Sequence, residues 1–232
     1  MLHASAMPSR LLAALALVLT ASGCDPAQPS SDVNQDRVFA RYELRYDRDF
    51  TKARTSFRFG GPNGTQLVLD GEANVSFEGQ PLGLVTLPAN ITYYERPLDR
   101  EARAGTFAYT NTDGRTVRNS AEIPAAIDVP SDLVISNDRD TEVRFTGPPV
   151  AEGEVVTISV FRVSADSRLA FAEQRRAGAQ TVTLPVASIR DAAPGEVTVA
   201  VARSRTRPAE GGADSEIVEV YEAPLRTARI SD

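Results

Sequence analysis

Chemistry in this chain falls to carboxylates, arginines, hydroxyls and phenols, because the common nucleophiles, bases and soft metal ligands are nearly missing. His3 is the sole histidine, Met1 and Met7 the sole methionines and Cys24 the sole cysteine, and tryptophan is absent. All of these lie within the first 24 residues. Beyond Cys24 no imidazole or thiol is left for a Ser-His-Asp triad or a Cys-His pair. Nor can His or Cys hold zinc, copper or iron there. A single cysteine closes no intrachain disulfide.

The acids offer the remaining candidates. Asp138-Arg139-Asp140, followed by Glu142, supplies the oxygen ligands a calcium ion wants in a loop between strands. Arg139 divides the acids, however, and the spacing matches no calcium loop. A polar turn, in which Asp side chains bond their own backbone, fits better. The same holds for Asp47-Arg48-Asp49. Two carboxylates about 5 to 10 Å apart would suffice for glycoside hydrolysis, yet in so acidic a chain such pairs arise by chance and none is singled out. Lys52 could serve a Ser-Lys arrangement, but it alternates with Arg54 and Arg58 and reads as solvated. Tyr93 and Tyr94, adjacent on a strand, must point to opposite faces. One ring joins the core, while the other faces outward near Arg96, to stack on a sugar or peptide or to pack against a neighbouring module. Asn63, Asn74 and Asn90 head glycosylation-type triplets that read as ordinary turn and strand residues. No catalytic, cofactor-binding or metal-ligating residue is assigned, and no cofactor is expected.

Cys24 carries the clearest chemistry. Arg10 precedes the apolar run Leu11–Leu19, and Leu19-Thr20-Ala21-Ser22-Gly23-Cys24 follows. The run is far short of the roughly 20 residues that span a bilayer; charge, apolar run and small residues in that order form a secretory signal. With cysteine closing it, the segment resembles the lipobox of bacterial lipoproteins, although Ala21 stands where such signals most often carry Leu. The resemblance covers residues 1–24. It implies cleavage before Cys24, a diacylglyceryl thioether on its sulfur, an acylated amine, and residence on a membrane of the bacterial cell envelope, facing the periplasm or the medium.

The elements that follow are all β. Residues 24–36 hold two prolines and no aromatic ring and read as a flexible tether with an average reach of about 20 Å. Period-two alternation then begins: Tyr42, Leu44 and Tyr46 against Arg41, Glu43 and Arg45, and Ala53, Thr55, Phe57 and Phe59 against Lys52, Arg54, Ser56 and Arg58. Short strands are expected around Leu67–Leu69, Ala73–Phe77, Ile91–Tyr94, Gly105–Asn111 and Arg115–Ala121, the last two joined by an Asp113-Gly114 turn. The prolines of Ile123–Pro130 mark a junction. Eleven of the fifteen aromatics precede it, and the remainder of the chain is aliphatic. Strands are expected there at Val155–Val163, Val182–Leu184, Val197–Val201 and Ile217–Val220. Residues 167–179 are read as strand, with a helical turn near Val186–Asp191.

Thr181-Val182-Thr183-Leu184-Pro185, then Ile189, then Pro194-Gly195-Glu196-Val197-Thr198-Val199-Ala200-Val201 resembles the last strands of immunoglobulin-like and fibronectin-like domains. Glu196 and Val197 stand where those domains often carry a tyrosine. The expected architecture is two tandem Ig-like β-sandwich domains, 37–127 and 128–232, after a signal peptide (1–23) and a tether (24–36).

The net charge of −6 argues against nucleic acid, which needs a clustered basic surface. The 25 basic residues include one lysine, Lys52, and the arginines are interleaved with acids as on a solvated face. The expected function is a non-enzymatic binding or scaffolding component of the envelope, held to the membrane by its lipid, with an envelope protein or a carbohydrate as partner. The runner-up is a surface module that captures carbohydrate or protein, as in adhesion, and a carboxylate-based hydrolase is the rival from a different class.

Overall fold

The computed structural model describes residues 27–162, 168–212 and 214–231. Cys24 and the signal segment lie outside the described residues. The first half contributes β1 (Gln28–Pro29), β2 (Val38–Asp47), β3 (Phe50–Phe59), β4 (Thr65–Val68), β5 (Asn74–Phe77), β6 (Gln80–Pro81), β7 (Gly83–Leu87), β8 (Ile91–Leu98), β9 (Ala104–Thr110) and β10 (Thr116–Glu122). The second contributes β11 (Val134–Ser136), β12 (Thr141–Arg144), β13 (Glu154–Arg162), β14 (Arg168–Gln174), β15 (Thr181–Leu184), β16 (Gly195–Pro208), β17 (Glu216–Glu222) and β18 (Arg226–Ser231). The protein is all-β, as its alternation predicts. The helical turn expected after β15 is a short 3-10 turn, Val186–Ser188.

One twelve-stranded sheet runs through the molecule, with β14, β13, β16, β17, β2 and β3 as neighbours in that order and β8 and β7 continuing from β3. Two smaller sheets cover one face of it. β10-β9-β5-β6 lies over the first-half strands and β12-β15 over the second. The expected break at 127/128 is therefore not a break in the sheet. β17 and β2 pair in parallel over seven residues, from Glu216↔Arg41 to Glu222↔Asp47. Parallel partners far apart in sequence leave no local turn signal, so this seam was invisible to strand-by-strand reading.

Register places every second residue on the covered face. On β3 and β2 these are Thr51, Ala53, Thr55, Phe57, Ala40, Tyr42, Leu44 and Tyr46; on β16 and β13 they are Val199, Val201, Val156, Ile158 and Val160; all are buried. The core has two textures. Under the four-stranded sheet it is aromatic: Tyr42 and Phe77 meet Phe107 at 5.3 and 4.8 Å, and Phe57 meets Tyr109 at 4.7 Å between ring centroids. Offset and edge contacts of this kind add about 0.5–1.5 kcal/mol each beyond area burial. Gly105 is glycine because a Cβ there would sit 2.2 Å from the Phe77 ring. Under the two-stranded sheet the core is aliphatic, with Val143, Val182, Leu184 and Ile189 facing β13 and β16.

The tether expectation is corrected over residues 28–36. β1 pairs in parallel with β4 through Gln28↔Leu67 and Pro29↔Val68. Ser30 is fully buried, and Asp70 accepts from the Ser30 hydroxyl at 2.8 Å, the Ser31 hydroxyl at 2.6 Å and the Ser31 N–H at 2.8 Å. The Gln35 amide donates to the Ser30 and Val33 carbonyls at 2.7 and 2.9 Å. A polar, proline-bearing stretch is thus ordered by partners about 40 residues away.

Candidate binding face

The acids singled out by spacing do not converge. Asp138 sits in a bend and accepts from the Ser136 hydroxyl, whereas Asp140 Oδ1 accepts the Val186 N–H at 2.8 Å, capping the 3-10 turn. Glu142 lies exposed on β12. Among the described residues no group of three or more acids, His or Cys could hold a metal ion. Asp47-Arg48-Asp49 is the β2–β3 hairpin turn, with Arg48 at φ 57° and its carbonyl accepting the Tyr46 hydroxyl at 2.7 Å. Lys52 is half-buried, with its ammonium 3.8 Å from Asp47 and 5.1 Å from the Phe50 ring centre.

Tyr93 and Tyr94 divide as alternation requires. Tyr94 is buried and its hydroxyl accepts the Leu69 N–H at 2.7 Å. Tyr93 faces out, and its partner is Arg54, on the neighbouring strand, whose guanidinium carbon stands 4.2 Å from the ring centre. Arg54 also donates to Glu95 Oε2 from Nε at 2.8 Å.

These residues belong to the uncovered face of the large sheet. Register aligns Glu216 and Glu222 of β17 with Arg41, Glu43, Arg45 and Asp47 of β2, then with Lys52 and Arg54 of β3, then with Tyr93 and Glu95 of β8. Arg41 pairs with Glu216, and Arg45 bridges Glu222 and Glu43, donating to Glu43 from Nε at 2.7 Å. Arg48 approaches Glu222 at 3.8 Å. Burial pushes the Glu222 carboxyl above its usual value, with Arg45 opposing. Beneath the charged side chains Val218 and Val220 are buried on the same face. Half-exposed ion pairs contribute at most about 1 kcal/mol each, so the lattice acts mainly by holding charged heads in fixed places. From β13 to β8 the face measures about 24 Å by 23 Å from strand spacing and rise, the larger part of the roughly 800 Å² a standard interface buries per partner. A broad, patterned, nearly neutral surface favours recognition by charge complementarity over enclosure of a small substrate.

Sequence reasoning missed a polar seam on the covered face. Glu219 is fully buried. Its carboxylate receives Arg205 Nε at 2.6 Å, Arg207 at 3.1 Å and the Glu122 N–H at 2.9 Å. Arg207 also donates to the Ser120 carbonyl. The Asn119 side chain exchanges two bonds with the Glu210 backbone, at 3.1 and 2.8 Å. The free edge of β10 is thus sealed by side chains of β16, β17 and their connecting loop. Gly212 in that loop lies against Val38, since a Cβ there would meet the Val38 carbonyl oxygen at 2.0 Å. Nearby, Arg203 is almost wholly buried, 3.6 Å from Glu154, and burial lowers its pKa. The signal available in sequence was Glu219 standing alone within Ile217-Val218-Val220-Tyr221, a strand otherwise apolar on both faces.

The surface also carries several concavities. A polar cavity of about 150 Å³ is lined by Gln35, Tyr109, Arg115 and Gly211; the Tyr109 hydroxyl is buried without a partner, and burial pushes its pKa up to about 12. A shallow groove of about 500 Å³ runs along Leu133, Val134, Glu196 and Arg229. The groove carries two carboxylates along its lining, Asp132 and Glu196, beside Arg229.

The fold and this face define an all-β protein with one broad open sheet surface. No protein-family profile matches the chain, and no curated protein matches it. Among solved structures, the Yersinia pseudotuberculosis adhesin InvE is similar at a TM-score of 0.22 and 10% identity, over 82% of this chain and 59% of that one. The chain thus spans under two thirds of that adhesin's length.

Proposed function

We propose that this chain is a lipid-anchored protein of the bacterial cell envelope whose β body works by binding or scaffolding, without turning over a substrate. Cys24, closing the signal-like segment, supplies the anchor. The observation that carries the binding role is the uncovered sheet face: broad and ion-paired from Glu216 to Glu95. Asp140 caps the 3-10 turn and Lys52 lies beside Asp47, and the engagement of these candidates in structure supports binding over chemistry. A protein partner fits better than a carbohydrate, because Arg54 already occupies one side of Tyr93.

The reading is tested on the outer face. Arg45→Glu with Arg54→Glu should abolish any larger complex seen on native electrophoresis of solubilised membranes while leaving the protein folded. A complex of unchanged size would remove the face as the binding surface. Specific, saturable turnover of a substrate by the purified protein would overturn the non-enzymatic reading.

A further inference from the structure

The first described residues lie at a defined end of the body. β1 runs parallel to β4 with Gln28 opposite Leu67, so the start of β1 faces the end at which β4 begins. β4 and β8 are both antiparallel to β3 and therefore start at the same end, where β3 finishes. Gln66 Oε1 accepts the Thr92 N–H at 2.9 Å, tying the two starts together. The Gly60–Gly64 turn and the loop 88–90 between β7 and β8 lie at this end. From Cys24 to Ala27 is three Cα steps, a reach of at most about 11 Å.

That end is unusual in composition. Residues 59–69 and 83–94 carry no charged side chain. The β7–β8 hairpin exposes Leu87 at 43% and Ile91 at 46%, opposite each other in register. Arg58 stands beside the turn, donating to the Gly64 carbonyl at 3.1 Å, and exposed Arg37 lies over Phe59. Acids also stand at this end, across β2 from the hairpin: Asp36 before β2, Asp113 in the β9–β10 turn, and Glu210, Asp214 and Glu216 in and after the β16–β17 loop, with Glu216 paired to Arg41.

We infer that this end of the molecule rests on the lipid bilayer, with Leu87 and Ile91 in the headgroup layer and Arg37 and Arg58 beside lipid phosphates. The inference rests on acylation of Cys24, and it turns the expected loose tether into a fixed orientation. Apolar side chains at the interface and cations near anionic lipid act together. With so short a leader the body is held upon the membrane, the large sheet rising from it.

The test uses full-length acylated protein carrying Leu87→Cys, labelled with an environment-sensitive fluorophore; Cys24 is blocked by its own thioether. A Phe171→Cys protein, labelled on the far edge strand β14, is the control. Both are placed in phosphatidylethanolamine–phosphatidylglycerol vesicles with and without headgroup-nitroxide lipid. The label at 87 should lose most of its emission to the nitroxide and the label at 171 none. An unquenched label at 87, on protein whose intact mass shows the lipid, overturns the orientation and leaves the anchor standing. A mass without lipid overturns both. A label shielded from aqueous iodide yet out of reach of the nitroxide means that another protein surface, including a second copy, covers the hairpin, and the inference fails.

Discussion

Glu219 of β17 accepts the backbone N–H of Glu122, the last residue of β10, at 2.9 Å, and so joins the two halves of the chain through a buried carboxylate. The same carboxylate holds Arg205 and Arg207. Replacing Glu219 by Ala leaves a buried N–H unmet and takes the carboxylate partner from two arginines. Breaking a buried pair costs about 3–5 kcal/mol; because these arginines are 35% and 38% exposed and can turn to water, the expected loss is about 2–3 kcal/mol. Glu219→Gln, which keeps an acceptor for Glu122, should lose less. Urea midpoints of the three proteins check the order.

The parallel seam between β2 and β17 makes a second prediction. Ile217 lies opposite Tyr42 and is 1% exposed. Ile217→Ala should cost about 2–5 kcal/mol, the range for large-to-small core changes. The loss should appear equally in hydrogen exchange of Phe107 and of Val182, because both covers pack on one sheet. Destabilisation confined to one half would mean that the halves fold independently.

Docking of residues 28–36 depends on Asp70. Hydrogen bonds from Ser31 and Ser30 hold its carboxyl below the usual carboxylate value. A group with a depressed folded-state pKa stabilises fully above its unfolded value, about 3.9 for Asp, and loses that contribution as pH falls through the lower folded value. Exchange protection of the Ser31 N–H, which Asp70 accepts, should therefore be intact at neutral pH and fall in strongly acid solution. Asp70→Asn should show the weakened protection already at neutral pH.

What the sequence disclosed follows from the range of the forces involved. Alternation in Tyr42-Leu44-Tyr46 and in the segment from Ala53 to Phe57 reports which face is dry, and the structure buries those side chains. The Asp113-Gly114 turn is equally local, with Gly114 at φ 76°. Contacts made across the chain leave no such trace. Ser30 reads as tether until Asp70 is placed beside it, and Tyr93 reads as a neighbour of Arg96 until β3 brings Arg54 over its ring. The stacked pair Tyr46 and Tyr221, capped by Arg103 at 4.2 Å from the Tyr46 ring, was likewise hidden. For the candidate site, alternation showed that the arginines and acids share a solvated face, and pairing across 175 residues makes that face continuous.

Membrane attachment through Cys24 is the claim on which the functional account turns. Wild-type and Cys24→Ser proteins, expressed in a bacterial host, would be separated into soluble and membrane fractions after a high-salt and carbonate wash. The account predicts wild-type protein in the washed membranes and Cys24→Ser in the soluble fraction. Cys24→Ser protein held as tightly by the washed membranes as the wild type would contradict it.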